Sequence, residues 1–311
     1  MKPQKFASHL LRRLKWEELD EKYLRGLVET ARAEDVEGAG LKAVPAVAAD
    51  ITTMSLTPKI QTKARLVARN EMSVCGMKLI PIIMDVYSSY ADGERLSFTP
   101  FVEDGARVGK GAALGEFEGS ARIMLQAERI MLNFLQRLSG VATATYSYAE
   151  LLQNGKTVLL DTRKTTPGLR VLEKYAFACG GGHNHRIGLF DRVMLKDNHL
   201  AAAHATKGER LAEAVRAARA KNPNVAIEVE VDSVEQIAPV LEAQADVVML
   251  DNFSFADMRK AVEFIGDSAW VEVSGQVTLQ TLPEIAKIAP DFVSTAAPVH
   301  SSRWIDIGLD S

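Results

Sequence analysis

The sequence predicts an α/β protein whose second half folds as a barrel or a partial barrel. Two observations predict it: short apolar runs alternate there with amphipathic helical stretches, and nearly every run ends in a polar or charged residue. Buried parallel strands are typically continuous runs of Val, Ile and Leu, and strands that alternate with helices form right-handed βα units. A doubly wound sheet is the alternative, but it places its ligand at one crevice, whereas a barrel collects site residues from many strand ends.

Six segments of the second half have this strand pattern. They are residues 157–164, 192–198, 226–232, 246–252, 270–275 and 291–297. Between most of them the apolar residues recur at helical spacing, as in Leu211, Val215 and Ala218. Each such stripe is expected to cover one face of the sheet.

In the first half, apolar residues recur at helical spacing in some segments and at strand spacing in others, which indicates a separate domain. Residues 103–123 contain five glycines, a pattern typical of short strands joined by tight turns, and residues 126–153 are strongly helical. We therefore predict an N-terminal domain over residues 1–127 and a C-terminal domain over residues 128–302. The tail, residues 303–311, is free to pack back on the first domain.

The composition excludes several classes of protein. With 311 residues, 47% of them hydrophobic and 25% charged, the chain is neither disordered nor collagenous and can bury the cores of two domains. Cys75 and Cys179 lie far apart in the sequence and form no CxxC motif, so neither a disulfide framework nor a thiolate metal site is indicated. We expect a cytoplasmic protein with no membrane span, because no apolar run reaches about 18 residues.

The net charge of −3 gives no general reason to expect nucleic acid or an anionic membrane as a partner. Residues 161–199, however, hold seven basic and four acidic side chains, so this window carries +3 and the rest of the chain −6. Such a cationic patch suits a small polyanion, a phosphate or a dicarboxylate. Arg163, Lys164 and Lys196 follow apolar strands directly and are the favoured ligands. A solvated charged loop is the preferred interpretation for Arg170, Lys174 and Arg192.

A row of carboxylates lies along the third predicted strand of the second half, residues 226–232. Glu228, Glu230 and Asp232 alternate along it and therefore point to one face. Charges inside a barrel are costly unless they bind something. Together with Asp251 at the end of the next strand, they could hold Mg²⁺ beside substrate phosphate oxygens. Function is favoured for Glu230 and Asp251, whereas a structural salt bridge to Lys196 or Arg163 explains Glu228 equally well.

Three loops contain small residues that would let a ligand approach the backbone. Residues 180–186 place three glycines before polar side chains, although a flexible turn is also possible. The HxH pair in this loop, His183 and His185, has no further ligand cluster at zinc spacing, so we favour substrate hydrogen bonding over metal ligation. Residues 274–276 and 294–297 end the last two strands, where barrels often bind phosphate, and ordinary tight turns are an equal alternative.

Taken together, these segments resemble the quinolinate phosphoribosyltransferase family. The resemblance covers about residues 45–311, and its motifs are the segments 50–53, 128–145, 161–176, 180–191, 196–199, 228–233, 250–253 and 271–275. It implies an N-terminal α/β sandwich domain, an open α/β barrel of about seven strands and a homodimer. It also implies a reaction of NAD biosynthesis, in which quinolinate, phosphoribosyl pyrophosphate and Mg²⁺ give nicotinate mononucleotide, pyrophosphate and CO₂.

The resemblance also implies the roles of individual side chains. Arg163 and Arg186, with Lys164 and His185 and beside Thr162, would hold the two quinolinate carboxylates. The phosphoribosyl group would be bound by Lys196 at its phosphates and by Glu230 and Asp251 at its hydroxyls and Mg²⁺. Lys164, Lys196, Glu230 and Asp251 would be the catalytic residues. Arg129 would reach the active site of the neighbouring subunit. The 5′-phosphate would bind at Ser274, Gly275, Gln276, Thr295, Ala296 and Ala297.

The sequence departs from the family pattern in the two presumed 5′-phosphate loops. Gln276 stands where a second glycine often follows Ser-Gly, and residues 295–301 read TAAPVHS where VGALTHS is usual. Because the catalytic side chains are intact, we interpret both as variation in backbone phosphate binding.

Three other functions remain open at this stage. Lys196 could form a Schiff base as in aldolases, although Asp197 and the paired carboxylates would keep it charged. A non-catalytic barrel that binds a phosphosugar would show binding without turnover. A paralogue associated with molybdate-transport operons would share the fold and take another substrate.

Overall fold

The computed structural model describes residues 2–43, 45–55 and 60–310. Within these ranges the chain forms strands and helices in an order that alternates regularly only in the second half. The strands are β1 Gln61–Ala68, β2 Met72–Ser73, β3 Leu96–Pro100, β4 Arg107–Val108, β5 Ala113–Ser120, β6 Val158–Leu160, β7 Val193–Leu195, β8 Ile227–Val231, β9 Val247–Asp251, β10 Trp270–Ser274, β11 Phe292–Ser294 and β12 Ile307–Asp310. The α-helices are α1 Ala7–Leu10, α2 Glu21–Glu37, α3 Ile80–Ser88, α4 Ala121–Glu150, α5 Arg170–Cys179, α6 Asp197–Ala202, α7 Gly208–Lys221, α8 Ile237–Glu242, α9 Phe255–Ile265, α10 Leu282–Ile288 and α11 Ala297–His300.

The chain divides into two compact units. The barrel unit comprises Met1–Leu14, Thr145–Thr166 and Gly181–Ser301, and the antiparallel unit comprises Lys15–Ala144, Pro167–Gly180 and Ser302–Ser311. No helix among the described residues is long and apolar enough to cross a membrane.

The antiparallel unit contains a four-stranded sheet in the order β12-β1-β5-β3. Its β1 strand alternates as an amphipathic strand should, with Ala64 and Leu66 buried while Lys63 and Arg65 face solvent. The C-terminal tail supplies β12, which pairs with β1 from Arg65↔Asp310 to Ala68↔Ile307.

Close packing within this unit explains one glycine of α4. A Cβ atom on Gly140 would lie 2.3 Å from the carbonyl oxygen of Arg303, so only glycine lets the tail pass this close to the helix. Lys174, which the sequence placed in a solvated loop, is instead buried on α5. That interpretation was wrong because residues 170–179 form a helix with an interior face.

The barrel unit contains a six-stranded parallel sheet in the order β6-β11-β10-β9-β8-β7, with β6 and β7 as its edges. All six predicted strand segments are present, and the predicted α/β class, with an N-terminal sheet domain and a C-terminal parallel sheet covered by helices, is confirmed. The parallel sheet has six strands within the described residues, where the family resemblance implied about seven. Helices α7 to α10 bury the predicted apolar stripes, for example Leu211 and Val215 on α7.

The N-terminal segment closes the amino end of this sheet, a role that the sequence did not indicate. Leu10 packs in a fully buried cluster with residues at or beside the starts of strands, among them Ala226, Val247 and Phe292. The backbone of Arg12 accepts a hydrogen bond from Asn184 N at 2.8 Å. The carboxyl ends of the strands, at the opposite edge, are thereby left to form the site.

Candidate active site

A pocket of about 590 Å³ opens at the carboxyl ends of the parallel strands. It gathers ten of the predicted site residues, most of which come from different strands of the barrel unit. They are Thr162, Arg163, Lys164, His185, Arg186, Lys196, Glu230, Asp251, Ser274 and Gly275.

Several other predicted residues lie outside the lining of this pocket. Arg129 is exposed on α4 of the antiparallel unit. Gln276, Thr295 and Ala296 lie in the loops after β10 and β11, and Ala297 is the first residue of α11. The Thr295 hydroxyl donates to the carbonyl of Val277 at 3.3 Å. Asp232 lies just beyond β8 and is exposed.

Ser294, in the predicted loop 294–297, also lines the pocket. Four further lining residues were not singled out as site residues from the sequence: Met194, Met249, Asn252 and Glu272. Three of them precede a predicted site residue by two positions on the same strand and therefore face the same side of the sheet. This two-residue spacing from a predicted site residue is the signal that could have identified Met194, Met249 and Glu272.

We call Lys196, Glu230, Asp251 and Ser274 the rim, because each stands at or just after the carboxyl end of its strand. Lys196 Nζ lies 2.9 Å from Glu230 Oε2, with 42% and 12% of their side-chain surfaces exposed. This ion pair engages the lysine with a carboxylate, which opposes the Schiff-base alternative because that chemistry needs an available amine. Strand register places Ser274 beside Asp251.

Below the rim lies a buried tetrad: His185, Arg192, Glu228 and Glu272. Arg192 Nη1 lies 3.1 Å from Glu228 Oε2 and 3.2 Å from His185 Nε2. The same His185 nitrogen lies 3.1 Å from Glu228 Oε2 and 3.3 Å from Glu272 Oε2. The structural interpretation of Glu228 is therefore correct in kind, but its partners are Arg192 and His185.

Arg192 corrects a second sequence interpretation. It was assigned to a solvated loop, yet its side chain is fully buried. The reason is its position directly before β7, where the chain already turns into the sheet. A guanidinium here is tolerated because Glu228 supplies the opposite charge.

The pKa values of the two carboxyl groups of the tetrad are shifted in opposite directions. Burial alone would raise the pKa of Glu228, but its interactions with His185 and Arg192 outweigh it and lower the pKa to about 2. Burial and the neighbouring charge of Glu228 raise the pKa of Glu272. Of the two carboxyl groups, Glu272 is therefore the one that holds a proton more readily.

The His185 ring is oriented by its own loop. Its Nδ1 accepts the backbone N–H of Arg186 at 2.7 Å, so the ring proton lies on Nε2 and faces the carboxylates. Asp161 fixes the loop by accepting the His185 N–H at 2.8 Å and the Asn184 side-chain amide at 2.7 Å. The triple-glycine segment is therefore a supported part of the site, since His183 N also bonds Leu159 O at 2.8 Å beside β6.

Two guanidinium groups supply positive charge to the pocket wall. Arg163 Nε is buried and has no hydrogen-bond partner within the described part of the chain. Burial and the nearby charge of Arg163 lower the pKa of Arg186. Two like charges in one pocket wall, one of them with an unsatisfied donor, form a binding site for an anion.

The backbone after β10 adopts a left-handed conformation at two successive residues. Gly275 has φ of 85°, and a Cβ there would lie 2.2 Å from Asn252 Oδ1, so glycine lets the Asn252 side chain pack against this turn. Gln276 has φ of 51°, a left-handed conformation that favours glycine. The residue by which this sequence departs from the family pattern therefore occupies a backbone position where glycine is the less strained choice.

Parallel strands that carry a cationic wall and a carboxylate rim in one pocket define an α/β-barrel enzyme for small, multiply charged anions. Family models agree: the quinolinate phosphoribosyl transferase N-terminal domain matches residues 50–139 and the C-terminal domain matches residues 141–310. The chain belongs to the quinolinate phosphoribosyltransferase family.

Curated relatives and solved structures show the same likeness. The nicotinate-nucleotide pyrophosphorylase [carboxylating] of Mycobacterium leprae is 37% identical over 265 residues, which cover 84% of this chain and 90% of that protein. The probable enzyme of the same name from Bacillus subtilis is 36% identical over 261 residues, covering 84% and 87%. The structure of nicotinate-nucleotide pyrophosphorylase from Francisella tularensis matches with a TM-score of 0.82 at 37% identity and covers 94% of this chain and 97% of that one.

Proposed function

We propose that the protein transfers the phosphoribosyl group of phosphoribosyl pyrophosphate to quinolinate with decarboxylation, giving nicotinate mononucleotide, pyrophosphate and CO₂ in NAD biosynthesis. The observation that carries this proposal is the pocket itself, which joins the guanidinium groups of Arg163 and Arg186 to the carboxylates of Glu230 and Asp251. Quinolinate is a dicarboxylate, and the ribose develops positive charge as pyrophosphate departs. The two kinds of charge in the pocket match these two needs.

The cationic wall holds the acceptor. Arg163 and Arg186 bind the two carboxylates of quinolinate by charge-assisted hydrogen bonds, and Lys164 and His185 complete this end of the pocket beside Thr162. The pyridine nitrogen then attacks the anomeric carbon of the ribose. Since the nitrogen is itself the nucleophile, no side chain has to form a covalent intermediate.

The rim holds the donor. Glu230 and Asp251 bind the ribose hydroxyls and stabilise the positive charge that develops on the sugar, while Lys196 faces the phosphates. Hard carboxylate oxygens at two adjacent strand ends suit Mg²⁺, which these residues would bind together with phosphate oxygens. When bound, the ion neutralises the charge that builds up on departing pyrophosphate.

The 5′-phosphate binds in the loops after β10 and β11. Ser274, Gly275 and Gln276 offer backbone N–H groups at the first loop, and the place of Ser274 and Gly275 in the pocket lining supports this assignment. Thr295, Ala296 and Ala297 offer the second loop. We also propose a cytoplasmic location, in a reducing compartment where Cys75 and Cys179 would remain free thiols.

Substrate choice tests the proposal. Purified protein with phosphoribosyl pyrophosphate and Mg²⁺ should convert quinolinate to nicotinate mononucleotide, and kcat/KM for nicotinate should be at least about 10²-fold lower because one charge-assisted contact is lost. Equal turnover of nicotinate would assign the chain to a non-carboxylating activity. Binding of both substrates without turnover would indicate the regulatory barrel instead.

A homodimer with Arg129 acting in the neighbouring subunit is the assembly that we propose. The exposed position of Arg129 on α4 supports it. Subunits with Arg129→Ala and subunits with Lys196→Ala should each be inactive alone, yet random mixing should restore about a quarter of wild-type activity, since half the dimers have one intact site. No recovery after verified subunit exchange would contradict the arrangement.

A further inference from the structure

We propose that Glu272 is a catalytic acid, which delivers the proton that replaces CO₂ on the pyridine ring. This inference rests on the proposed function and deepens it, because it assigns the second half of the reaction to a residue of its own. The argument depends on the place of Glu272 in the pocket and on the partners of its neighbours.

Glu272 borders the pocket from below the rim. It precedes Ser274 by two residues on β10, so it faces the same side about 7 Å deeper. It lines the pocket although its side chain is fully buried. A ring bound between the cationic wall and the rim would therefore lie above this carboxyl group, out of contact with bulk water.

The carboxyl oxygens of Glu272 lack the partners that an ionised group needs. Neither makes a hydrogen bond of normal geometry with a described residue, and the contact of Oε2 with His185 Nε2, at 3.3 Å, is long. An ionised carboxylate that is buried without donors is strongly destabilised, whereas a protonated one is tolerated. The unsatisfied oxygens indicate that this group is held as the neutral acid.

The charges around Glu272 lead to the same conclusion. The titratable or charged groups packed against it are His185, Arg192 and Glu228, while its partners across the adjoining strands are Met249 and Phe292. Arg192 is the tetrad's one guanidinium, and its Nη1 is 3.1 Å from Glu228. Burial and the negative charge of Glu228 raise the pKa of Glu272 and outweigh the opposing effects of His185 and Arg192.

A metal ion is the competing occupant of this cluster. One ligand atom each of His185, Glu228 and Glu272 lies within 4.8 Å of the others. However, the guanidinium of Arg192 lies 3.1 Å from Glu228 and 3.2 Å from His185 at the atoms a metal would use. Repulsion between the guanidinium and a divalent cation favours a proton over a metal at Glu272.

The chemistry requires such a proton. Once the nitrogen is bonded to ribose, the bond between the ring carbon and its carboxylate breaks and releases CO₂, and the electron pair remains on that carbon as an ylid. The O–H bond of Glu272 then breaks, its proton forms the new C–H bond, and Glu272 is left as a carboxylate. Water reprotonates it after the product leaves, so that each turnover consumes one proton.

Two matched variants separate this role from the rest of the site. Glu272→Gln and Glu230→Gln make the same chemical change at two depths of one pocket. In a single turnover, Glu272→Gln should release pyrophosphate within a few-fold of the wild-type rate and release CO₂ about 10²-fold more slowly, with quinolinate mononucleotide accumulating. Glu230→Gln should slow both products equally, because ribose chemistry precedes decarboxylation.

The inference fails if Glu272→Gln loses pyrophosphate and CO₂ release in parallel, or if neither is slowed. It also fails if wild-type protein retains a bound metal that Glu272→Gln loses. If Glu272→Gln does not fold, Glu272→Asp is the alternative variant. Its shorter side chain retains the carboxyl proton but holds it farther from the ring, so it should still release CO₂ more slowly than pyrophosphate. Absence of pyrophosphate release by the wild-type protein would instead refute the proposed function.

Discussion

The rim and the buried tetrad differ in depth far more than in composition. Glu230 of the rim and Glu228 of the tetrad are two residues apart on β8 and face the same side of the sheet. Glu230 pairs with a lysine whose side chain is 42% exposed, whereas Glu228 pairs with an arginine that is completely buried. Water can replace the partner of the first carboxylate but not of the second.

This difference in burial suits the rim and the tetrad to different functions. Partly solvated charges can exchange partners at modest free-energy cost, which suits residues that must take up and release a charged donor. Buried charges are fixed by one another and determine protonation states instead. In the proposed mechanism the rim serves binding and ribose chemistry, and the tetrad controls a proton.

Removing the guanidinium of the tetrad should have the largest effect. Arg192→Met leaves Glu228 as an uncompensated buried charge, and we expect it to reduce the free energy of unfolding by about 3–5 kcal/mol. Chemical denaturation monitored by circular dichroism measures this loss. The matched rim variant, Lys196→Ala, should change stability by no more than about 1 kcal/mol. Equal losses in the two variants would mean that depth does not separate the two levels.

A smaller effect is expected where the cationic wall meets the substrate. Arg163→Ala removes a charge-assisted contact worth about 1.5–3 kcal/mol, so KM for quinolinate should rise about 10- to 100-fold while KM for phosphoribosyl pyrophosphate changes little. Steady-state kinetics with each substrate varied in turn provide the readout. An unchanged KM for quinolinate would move the dicarboxylate site away from this wall.

The fold and the rim were accessible from the sequence because both depend on local patterns. Each predicted strand segment became a strand, and a polar residue at the end of a buried parallel strand must emerge at the carboxyl edge of the sheet. Lys196, Glu230 and Asp251 are identified by that rule alone. Their shared pocket follows from the parallel register of the strands.

The tetrad could not be predicted in the same way, because counting charged residues along the sequence does not show which of them are buried. Arg192 counted toward the cationic window like any loop residue, yet its burial depends on Glu228, which lies 36 residues later in the chain. Glu272 was passed over inside an apolar run, although its parity with Ser274 was visible. The role of Leu10 depends on strand starts distributed over the whole second half.

The most direct test of the account is the product stoichiometry of one reaction. Wild-type protein is supplied with Mg²⁺, phosphoribosyl pyrophosphate and quinolinate labelled in the carboxylate adjacent to the nitrogen. Pyrophosphate, labelled CO₂ and nicotinate mononucleotide should then form in equal amounts, because rim and tetrad act in sequence on one bound pair of substrates. Failure to form any of the three, or pyrophosphate release without CO₂ at completion, would contradict the account.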